Sequence, residues 1–218
     1  MSRSNYNNKV EIPLVIFAVN QGRLKVLLFK NDKEPYKGYW KLPTDLLESN
    51  QDIEEKTQLI LREKTGINNG VMIQSNVYYS LSTLLDEKVI HISYLVLANT
   101  VDAIYNREII DQYESDWFDV NTLPKICYNH QKIIEDALKI LKNKIMNLES
   151  IKILFPSDFT LPEIQKVYEQ TLGHELDRRN FRKKIIDYLE DTKENYAGKN
   201  GRPAKLYRFK EIEEITYN

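Results

Sequence analysis

The chain has 218 residues, and its balance of 42% hydrophobic and 29% charged residues is that of a folded globular protein, which excludes a largely disordered chain. The formal net charge of −1 by itself argues against a nucleic-acid partner. Between Arg178 and Arg208, however, there are ten Lys and Arg residues and only four Asp and Glu residues, a local charge of +6 that leaves −7 elsewhere. A DNA phosphate interacts with the charges near its binding surface and not with the net charge of the whole chain. This distribution therefore keeps DNA among the expected partners.

The N-terminal segment and the cysteine content both predict a cytoplasmic protein. Residues 1–9 begin with the polar stretch MSRSNYNN, which lacks the apolar segment of a signal peptide and is expected to be flexible. No run of about 18 apolar residues occurs, so no membrane span is predicted. The single cysteine, Cys127, has no partner for an internal disulfide, as is typical in a reducing compartment, and we interpret it as a small core residue.

Residues 10–148 alternate between strand and helix patterns. Two apolar strands are predicted within residues 10–30, separated by turn residues at Asn20-Gln21-Gly22. A helix capped by Ser49 or Asn50 is predicted to run to about Thr65, with Gly66 just past its end. The remaining predicted elements are strands at residues 71–80 and 88–98, a short strand entering a turn at Pro124, and an amphipathic helix at residues 130–146.

A change of composition and periodicity near residue 150 predicts a second domain at residues 149–212. Helices are predicted at residues 161–172 and 178–189, and a hairpin at residues 193–209. Thr160 and Glu163 form a capping box at the start of the first helix, and Gly173 ends it. This succession of helix, turn, helix and hairpin is typical of a winged helix-turn-helix.

The second of these helices is crowded with cations in its first two turns. Cations near a helix N-terminus oppose the helix dipole, so their accumulation there needs another partner, and phosphate is the obvious one. The start of such a helix enters the major groove, where Arg pairs with guanine and Asn with adenine. We therefore predict double-stranded operator DNA as a partner, with a solvated basic face as the alternative. The predicted DNA contacts are Arg178, Arg179, Asn180, Arg182, Lys183 and Lys184 on the helix, and Lys199, Arg202 and Lys205 on the hairpin.

The order of elements in residues 10–148 resembles the Nudix fold, whose hydrolases hold Mg²⁺ on a box of clustered carboxylates. If Thr65-Gly66-Ile67 sets the register, Asp45 takes the leading glycine position and Gln51 the first glutamate position. Leu59 and Ile60 then replace an Arg-Glu pair, while Glu63 and Lys64 occupy the Glu-Glu positions. Only one carboxylate of the metal cluster remains, and Lys64 brings a positive charge to the place of the metal. We therefore expect no metal site, no cofactor and no hydrolase activity.

Taken together, the segments resemble the NrtR-type family of Nudix-related transcriptional regulators. The resemblance rests on the loop from Lys33 to Pro43, the eroded box, Asn129-His130 before a helix and, most specifically, the stretches FTLPEIQKVYEQTLG, LDRRNFRKK and GRPAKLYRF. It implies an α+β protein, with a Nudix-like α/β/α sandwich at residues 10–148 and a C-terminal winged helix at residues 149–212. It also implies a homodimer that binds a palindromic operator and senses ADP-ribose or a pentose.

The predicted effector contacts are Trp40, Lys88 and His91. Trp40 is suited to stacking on a base or sugar, although a core position is an alternative. His91 lies in an apolar strand, so the alternative for it is a core histidine. Lys88 is the remaining cation of the loop at residues 81–88, where a diphosphate would require positive charge.

The sequence leaves two other functions as alternatives. One is a Mg²⁺-dependent Nudix hydrolase of a nucleoside diphosphate derivative with an accessory DNA-binding domain, and the carboxylate count disfavours it. The other is a DNA-binding protein whose N-terminal domain is purely structural. Binding of ADP-ribose, NAD or a pentose distinguishes a ligand-responsive regulator from this last class.

Overall fold

A computed structural model describes residues 9–85, 87–99, 113–145, 151–155, 158–196 and 203–210. The strands are β1 (Val10–Asn20), β2 (Arg23–Lys30), β3 (Trp40–Lys41), β4 (Thr44–Leu47), β5 (Gly70–Leu81), β6 (Lys88–Ala98), β7 (Ser115–Asp119), β8 (Phe159–Thr160), β9 (Leu189–Tyr196) and β10 (Ala204–Phe209). The helices are α1 (Ile53–Thr65), α2 (His130–Lys144), α3 (Leu161–Leu172) and α4 (Arg178–Ile185), and a short 3-10 helix (Ile186–Tyr188) follows α4.

Strand β1 is the centre of a seven-stranded mixed sheet with the order β3-β2-β1-β6-β5. Its first half pairs with β4 and its second half with β2, both antiparallel, and it pairs in parallel with β6. Strand β2 also pairs with β7. The strong apolar character of β1 follows from this central place, because both of its faces are buried.

The two helices described in the N-terminal region cover opposite faces of this sheet. Alternate residues of β1 point to opposite sides, so Ile12 and Ile16 pack with Ile60 of α1, whereas Phe17 packs with Ile133 of α2. The result is the α/β/α sandwich predicted from the sequence. No helix among the described residues is both long and apolar enough to span a membrane.

Helix α1 begins later than predicted. Its N-cap is Asp52, whose carboxylate accepts the backbone N–H groups of Glu54 at 2.8 Å and Glu55 at 3.1 Å. The residues proposed as caps, Ser49 and Asn50, belong to the turn that precedes it. Asp52, directly before the first apolar residue of the helix, therefore acts as the N-cap in place of Ser49 or Asn50.

Helix α4 ends earlier than predicted, at Ile185 instead of residue 189, and the strand of the hairpin begins at Leu189 instead of residue 193. Leu189 pairs with Phe209, and the Lys210 backbone N–H donates to the Tyr188 carbonyl at 3.0 Å. Residues 189–192, whose spacing predicts a helix, therefore form a strand because they pair with β10. This pairing cannot be read from the local sequence, since β10 is distant along the chain.

Strands β8, β9 and β10 with helices α3 and α4 form a winged-helix module that packs on the sandwich. Its sheet has the order β8-β10-β9. One hydrophobic cluster continues from Val19 and Leu24 of the sandwich to Ile164, Val167 and Tyr168 of α3. The two parts of the protein therefore share a continuous apolar contact.

Gly22 lies in the turn between β1 and β2, where the sandwich touches α3. Gln21 and Gly22 both have positive φ, 52° and 66°, as a tight two-residue hairpin turn requires. A Cβ on Gly22 would lie 3.0 Å from Cγ and 3.3 Å from Cα of Glu163 in the first turn of α3. The absence of a side chain at this position therefore permits the close approach.

Replacement of Gly22 by alanine is expected to lower the free energy of unfolding by about 2 kcal/mol or more. The left-handed region costs a non-glycine residue about 1–2 kcal/mol, and the added methyl group also collides with α3. Gly38→Ala is the matched control, because Gly38 has a φ of 85° and open space around its Cβ position. Urea denaturation measures both variants, and equal losses would contradict the contact between the turn and α3.

Candidate DNA interface and effector cleft

Helix α3 is fixed at both of its ends. The backbone N–H of Thr160 donates to the Glu163 carboxylate at 2.7 Å, and the backbone N–H of Glu163 donates to Thr160 Oγ1 at 3.4 Å, which completes the predicted capping box. Gly173, with a φ of 78°, ends the helix as predicted. A helix held in this way provides a firm support for α4.

Helix α4 lies across α3 with its apolar side inward. Asp177 caps it by accepting the backbone N–H of Asn180 at 2.9 Å. Phe181 and Ile185 are buried, and the Phe181 ring meets the Tyr168 ring edge-on with centroids 5.1 Å apart. Because Phe181 and Ile185 face α3, the polar side chains of α4 face the solvent.

The outward face of α4 is an uncompensated basic surface, and its residues are the six predicted from the sequence. Among the described residues, no carboxylate forms an ion pair with any of its cations. The phosphates of a DNA backbone would supply the negative charge that balances such a surface. The exposed residues are Arg178, Arg179, Asn180, Arg182, Lys183 and Lys184.

The hairpin of β9 and β10 is the wing of the module, and its predicted cation Lys205 is already engaged. Lys205 Nζ lies 2.5 Å from the Asp191 carboxylate across the hairpin. This contact raises the pKa of Lys205 and lowers the pKa of Asp191. Lys205 is therefore a weaker candidate for phosphate than the residues of α4, while Lys199 and Arg202 lie outside the described residues.

The positions of the eroded Nudix box hold an internal cluster of charges. The Asp45 carboxylate lies 2.9 Å from Lys56 Nζ and 3.4 Å from Lys64 Nζ, and Lys64 Nζ also donates to the Thr44 carbonyl at 2.7 Å. Partial burial alone would raise the pKa of Asp45, but the two ammonium groups outweigh it and lower that pKa. Lys56 is buried, whereas Asp45 is half-buried.

This donor set does not fit Mg²⁺, which binds oxygen ligands and avoids neighbouring cations. Ile60 is buried in the core and Glu63 is exposed to solvent. In the part of the chain that the structure describes, no three His, Cys, Asp or Glu side chains converge on one point. The described residues at the positions of the box therefore do not fit a Mg²⁺ ion.

The predicted effector contacts do not converge. His91 is fully buried, with Nδ1 3.3 Å from the Glu11 carboxylate, so it offers no surface to an effector and the core alternative applies. Trp40 is half-buried and packs edge-on against Phe118 with ring centroids 4.6 Å apart. Lys88 is exposed at the start of β6, three strand positions away from β3 in the sheet.

A cleft of about 500 Å³ opens between the end of β2 and the residues before β7. Phe29 and Tyr113 stack in its wall, with ring centroids 5.0 Å apart and an interplanar angle of 10°. Tyr113 is 40% exposed, so its ring remains accessible from the solvent side. The charged residues of the wall are Lys30, Lys33, Lys37 and Lys41, together with Asp32 and Glu114.

Lys41 is the cation of this cleft that burial affects most. Its desolvation lowers its pKa, Asp32 opposes this effect, and the nearby charges of Lys33 and Lys64 reinforce it. A partly desolvated ammonium group gains more from a bound anion than a fully solvated one does. Lys30 is paired with Glu114, which an anionic ligand would have to displace. The cleft is thus suited to an anion that carries a ring.

The lysines of the cleft were missed at the level of sequence, although four lysines within residues 30–41 are a visible signal. The family resemblance points instead to residues 81–88, where Lys88 is the remaining cation. Tyr113 and Leu84 join these lysines only because the sheet brings distant segments together.

Two of the comparisons with known proteins match a part of the chain. Residues 153–209 match the NrtR DNA-binding winged helix domain. An ADP-ribose pyrophosphatase of Methanocaldococcus jannaschii is 32% identical over 117 residues, which are 53% of this chain and 66% of that enzyme.

Two further proteins match over almost the whole chain. The ADPR-responsive transcriptional repressor NtrR of Acinetobacter baylyi is 32% identical over 205 residues, which are 91% of this chain and 80% of that protein. The crystal structure of Shewanella oneidensis NrtR complexed with a 27mer DNA has a TM-score of 0.73 and 25% identity, with 92% of this chain and 93% of that chain covered. With its sandwich, its winged helix and this identity along its length, the chain belongs to the NrtR family of Nudix-related transcriptional regulators.

Proposed function

We propose that this protein is a transcriptional repressor that binds operator DNA through α4 and the wing and responds to a small nucleotide. The observation that carries the proposal is the exposed basic surface at the start of a capped second helix, whose cations pair with no carboxylate of the described residues. In a winged helix this face enters the major groove, where Arg178, Arg179 and Asn180 contact base edges. The cations that follow neutralise phosphates and release counterions.

The effector that we propose is ADP-ribose, bound in the cleft between β2 and β7. Its diphosphate suits the lysines of the wall, and its adenine suits the accessible ring of Tyr113. A neutral pentose has neither a phosphate for the lysines nor an aromatic base for the Tyr113 ring. The Acinetobacter relative, which is named for its response to ADPR, supports the same choice.

We further propose the division of the chain into an effector domain at residues 10–148 and a DNA-binding domain at residues 149–212. A homodimer would present two copies of α4 to the two halves of a palindromic operator, which is the usual way to obtain enough specific contacts. Operator binding requires access to the chromosome, so we place the protein in the cytoplasm.

A hydrolase of ADP-ribose is the second candidate function, and the identity to the archaeal pyrophosphatase favours it. Against it stands the ion-pair cluster of Asp45, Lys56 and Lys64 at the place of the metal. A hydrolase of this type needs clustered carboxylates to hold Mg²⁺ and position water. We therefore propose that the cleft binds ADP-ribose without turnover.

Incubation with ADP-ribose and Mg²⁺ is expected to release no AMP above the rate seen without protein. Chromatographic separation of AMP from ADP-ribose measures this directly, with the Methanocaldococcus enzyme as the active control. Mg²⁺-dependent release of AMP that persists in a highly purified sample would establish the hydrolase instead.

The proposed function is tested by a gel shift on the promoter region of the protein's own gene, with ADP-ribose titrated into the binding reaction. We expect a specific complex whose stability changes with ADP-ribose and is indifferent to ribose and arabinose. Absence of a complex would contradict DNA binding. A complex that no effector alters would identify the N-terminal domain as purely structural.

A further inference from the structure

The effector cleft and the winged-helix module lie at opposite ends of one pair of strands. Strands β2 and β7 pair with Phe29 opposite Ser115 at one end and Lys25 opposite Asp119 at the other. The first end borders the cleft, since Phe29, Lys30 and the residues just before β7 form its wall. The four residue steps of extended strand between Lys25 and Phe29 separate these two ends by about 13 Å. We call this pair of strands the β2–β7 ribbon.

At the far end of the β2–β7 ribbon, the amide side chain of Gln170 on α3 hydrogen-bonds both strands, beside the apolar contact of Leu24 with the same helix. Its Oε1 accepts the backbone N–H of Leu24 at 2.9 Å, and its Nε2 donates to the Asp119 carboxylate at 3.2 Å. Asp119 is in turn paired with Arg23 at 3.0 Å. Gln170 therefore contacts both strands of the ribbon at once.

At the near end, an anionic ligand would change the contacts of the ribbon itself. Lys30 is paired with the Glu114 side chain, and its backbone N–H donates to the Glu114 carbonyl at 2.7 Å. A diphosphate that binds the Lys30 ammonium group breaks the ion pair between Lys30 and Glu114. This ion pair links the two sides of the ribbon at this end. A ligand shifts a conformational equilibrium only through contacts that differ between the two states, and the Lys30 contact is of this kind.

From these contacts we propose that the β2–β7 ribbon transmits effector binding to the DNA-binding helix, and that Gln170 is the residue through which α3 receives it. This inference rests on the proposed function, because it requires an anionic effector in the cleft. A displacement of α3 reaches α4 through the packed rings of Tyr168 and Phe181. Closely packed side chains transmit such shifts because the interior has little free volume.

The test uses the full chain and measures the ratio of the operator Kd with saturating ADP-ribose to the Kd without it. Allosteric proteins typically show ratios of about 5-fold to 150-fold, and we expect the wild-type protein in this range. In Gln170→Ala the ratio is expected to fall below about 3-fold, although ADP-ribose alone and operator alone still bind. Gln170→Glu retains the acceptor for Leu24 but opposes Asp119, and it is expected to lower the ratio as well.

Gln165→Ala is the matched control on the same helix. The Gln165 amide donates to Glu169 at 2.8 Å and to the Leu176 carbonyl at 3.0 Å, so its contacts stay within the winged-helix module. This variant is expected to keep the wild-type ratio. Thermal denaturation verifies that all three variants are folded.

The possible outcomes separate the inference from the function on which it rests. A wild-type ratio in Gln170→Ala overturns the inference alone, and so does an equal loss in Gln165→Ala, because general weakening of α3 would then explain both. Absence of any ADP-ribose effect on the wild-type protein overturns the proposed effector and the inference together.

Discussion

Replacement of Arg179 and Arg182 by alanine in one variant is expected to lower the affinity for operator DNA by about 100-fold or more, since each such contact contributes about 1–3 kcal/mol. Both side chains are exposed on the outward face of α4 and lack an ion pair with any described carboxylate, so the protein itself does not compete for them. Fluorescence anisotropy with a labelled operator measures the loss. If either arginine contacts phosphate, the dependence of log K on log salt concentration becomes shallower by about one unit.

The control for this experiment removes the same charge from the other domain. Arg62 and Lys142 are exposed on α1 and α2, on the sandwich instead of the winged-helix module. Their double replacement by alanine lowers the net charge equally and is expected to leave operator affinity almost unchanged. An equal loss in both double variants would mean that overall charge, and not the α4 surface, governs binding.

Replacement of Lys41 by alanine is expected to weaken ADP-ribose binding by about 10-fold to 100-fold, the effect of losing a hydrogen bond to a charged group. Operator affinity in the absence of ADP-ribose is expected to remain at the wild-type value. Isothermal titration calorimetry measures the first quantity and anisotropy the second. Lys88→Ala is the control, because Lys88 is an exposed cation of the same domain that does not line the cleft. Equal weakening by both variants would contradict the cleft as the effector site.

The affinity for ADP-ribose is also expected to fall at alkaline pH. Burial lowers the pKa of Lys41 from its ordinary value of 10.5, so its ammonium group loses its proton at a lower pH than an exposed lysine does. Binding of an anion requires the protonated form and is therefore present below the pKa of Lys41 and lost as the pH rises through it. Lys41→Arg remains charged and is expected to retain affinity at high pH. Identical pH profiles for this variant and the wild-type protein would exclude Lys41 as the titrating contact.

The local features of the winged helix were predictable from the sequence because each depends on neighbours in the chain. The capping box at Thr160 and Glu163, the end of α3 at Gly173 and the cap of α4 at Asp177 are satisfied by residues within one turn. The inward positions of Phe181 and Ile185 follow from helical spacing. The end of α4 was not predictable in the same way, because the pairing of Leu189 with Phe209 joins residues distant in sequence.

The cleft proposed for the effector, in contrast, could not be predicted from local sequence. Tyr113 and Lys41 come together only because β7 and β3 both pair with β2. His91, a predicted contact with a core position as its alternative, lies buried beside Glu11, because an apolar strand pattern does not tell whether its polar residue faces solvent or a buried carboxylate. The charge of Lys64 was visible in the sequence, but its contact with Asp45 was not.

The sequence by itself therefore determined the order of most of the elements, the cluster of cations on α4 and the residue types at the positions of the Nudix box, because these depend on residue type and short-range spacing. Only the tertiary structure decided where the cleft proposed for the effector lies and how it is connected to α3. Both depend on long-range strand pairing, which brings Lys30 and Glu114 together at one end of the ribbon and Leu24, Asp119 and Gln170 at the other.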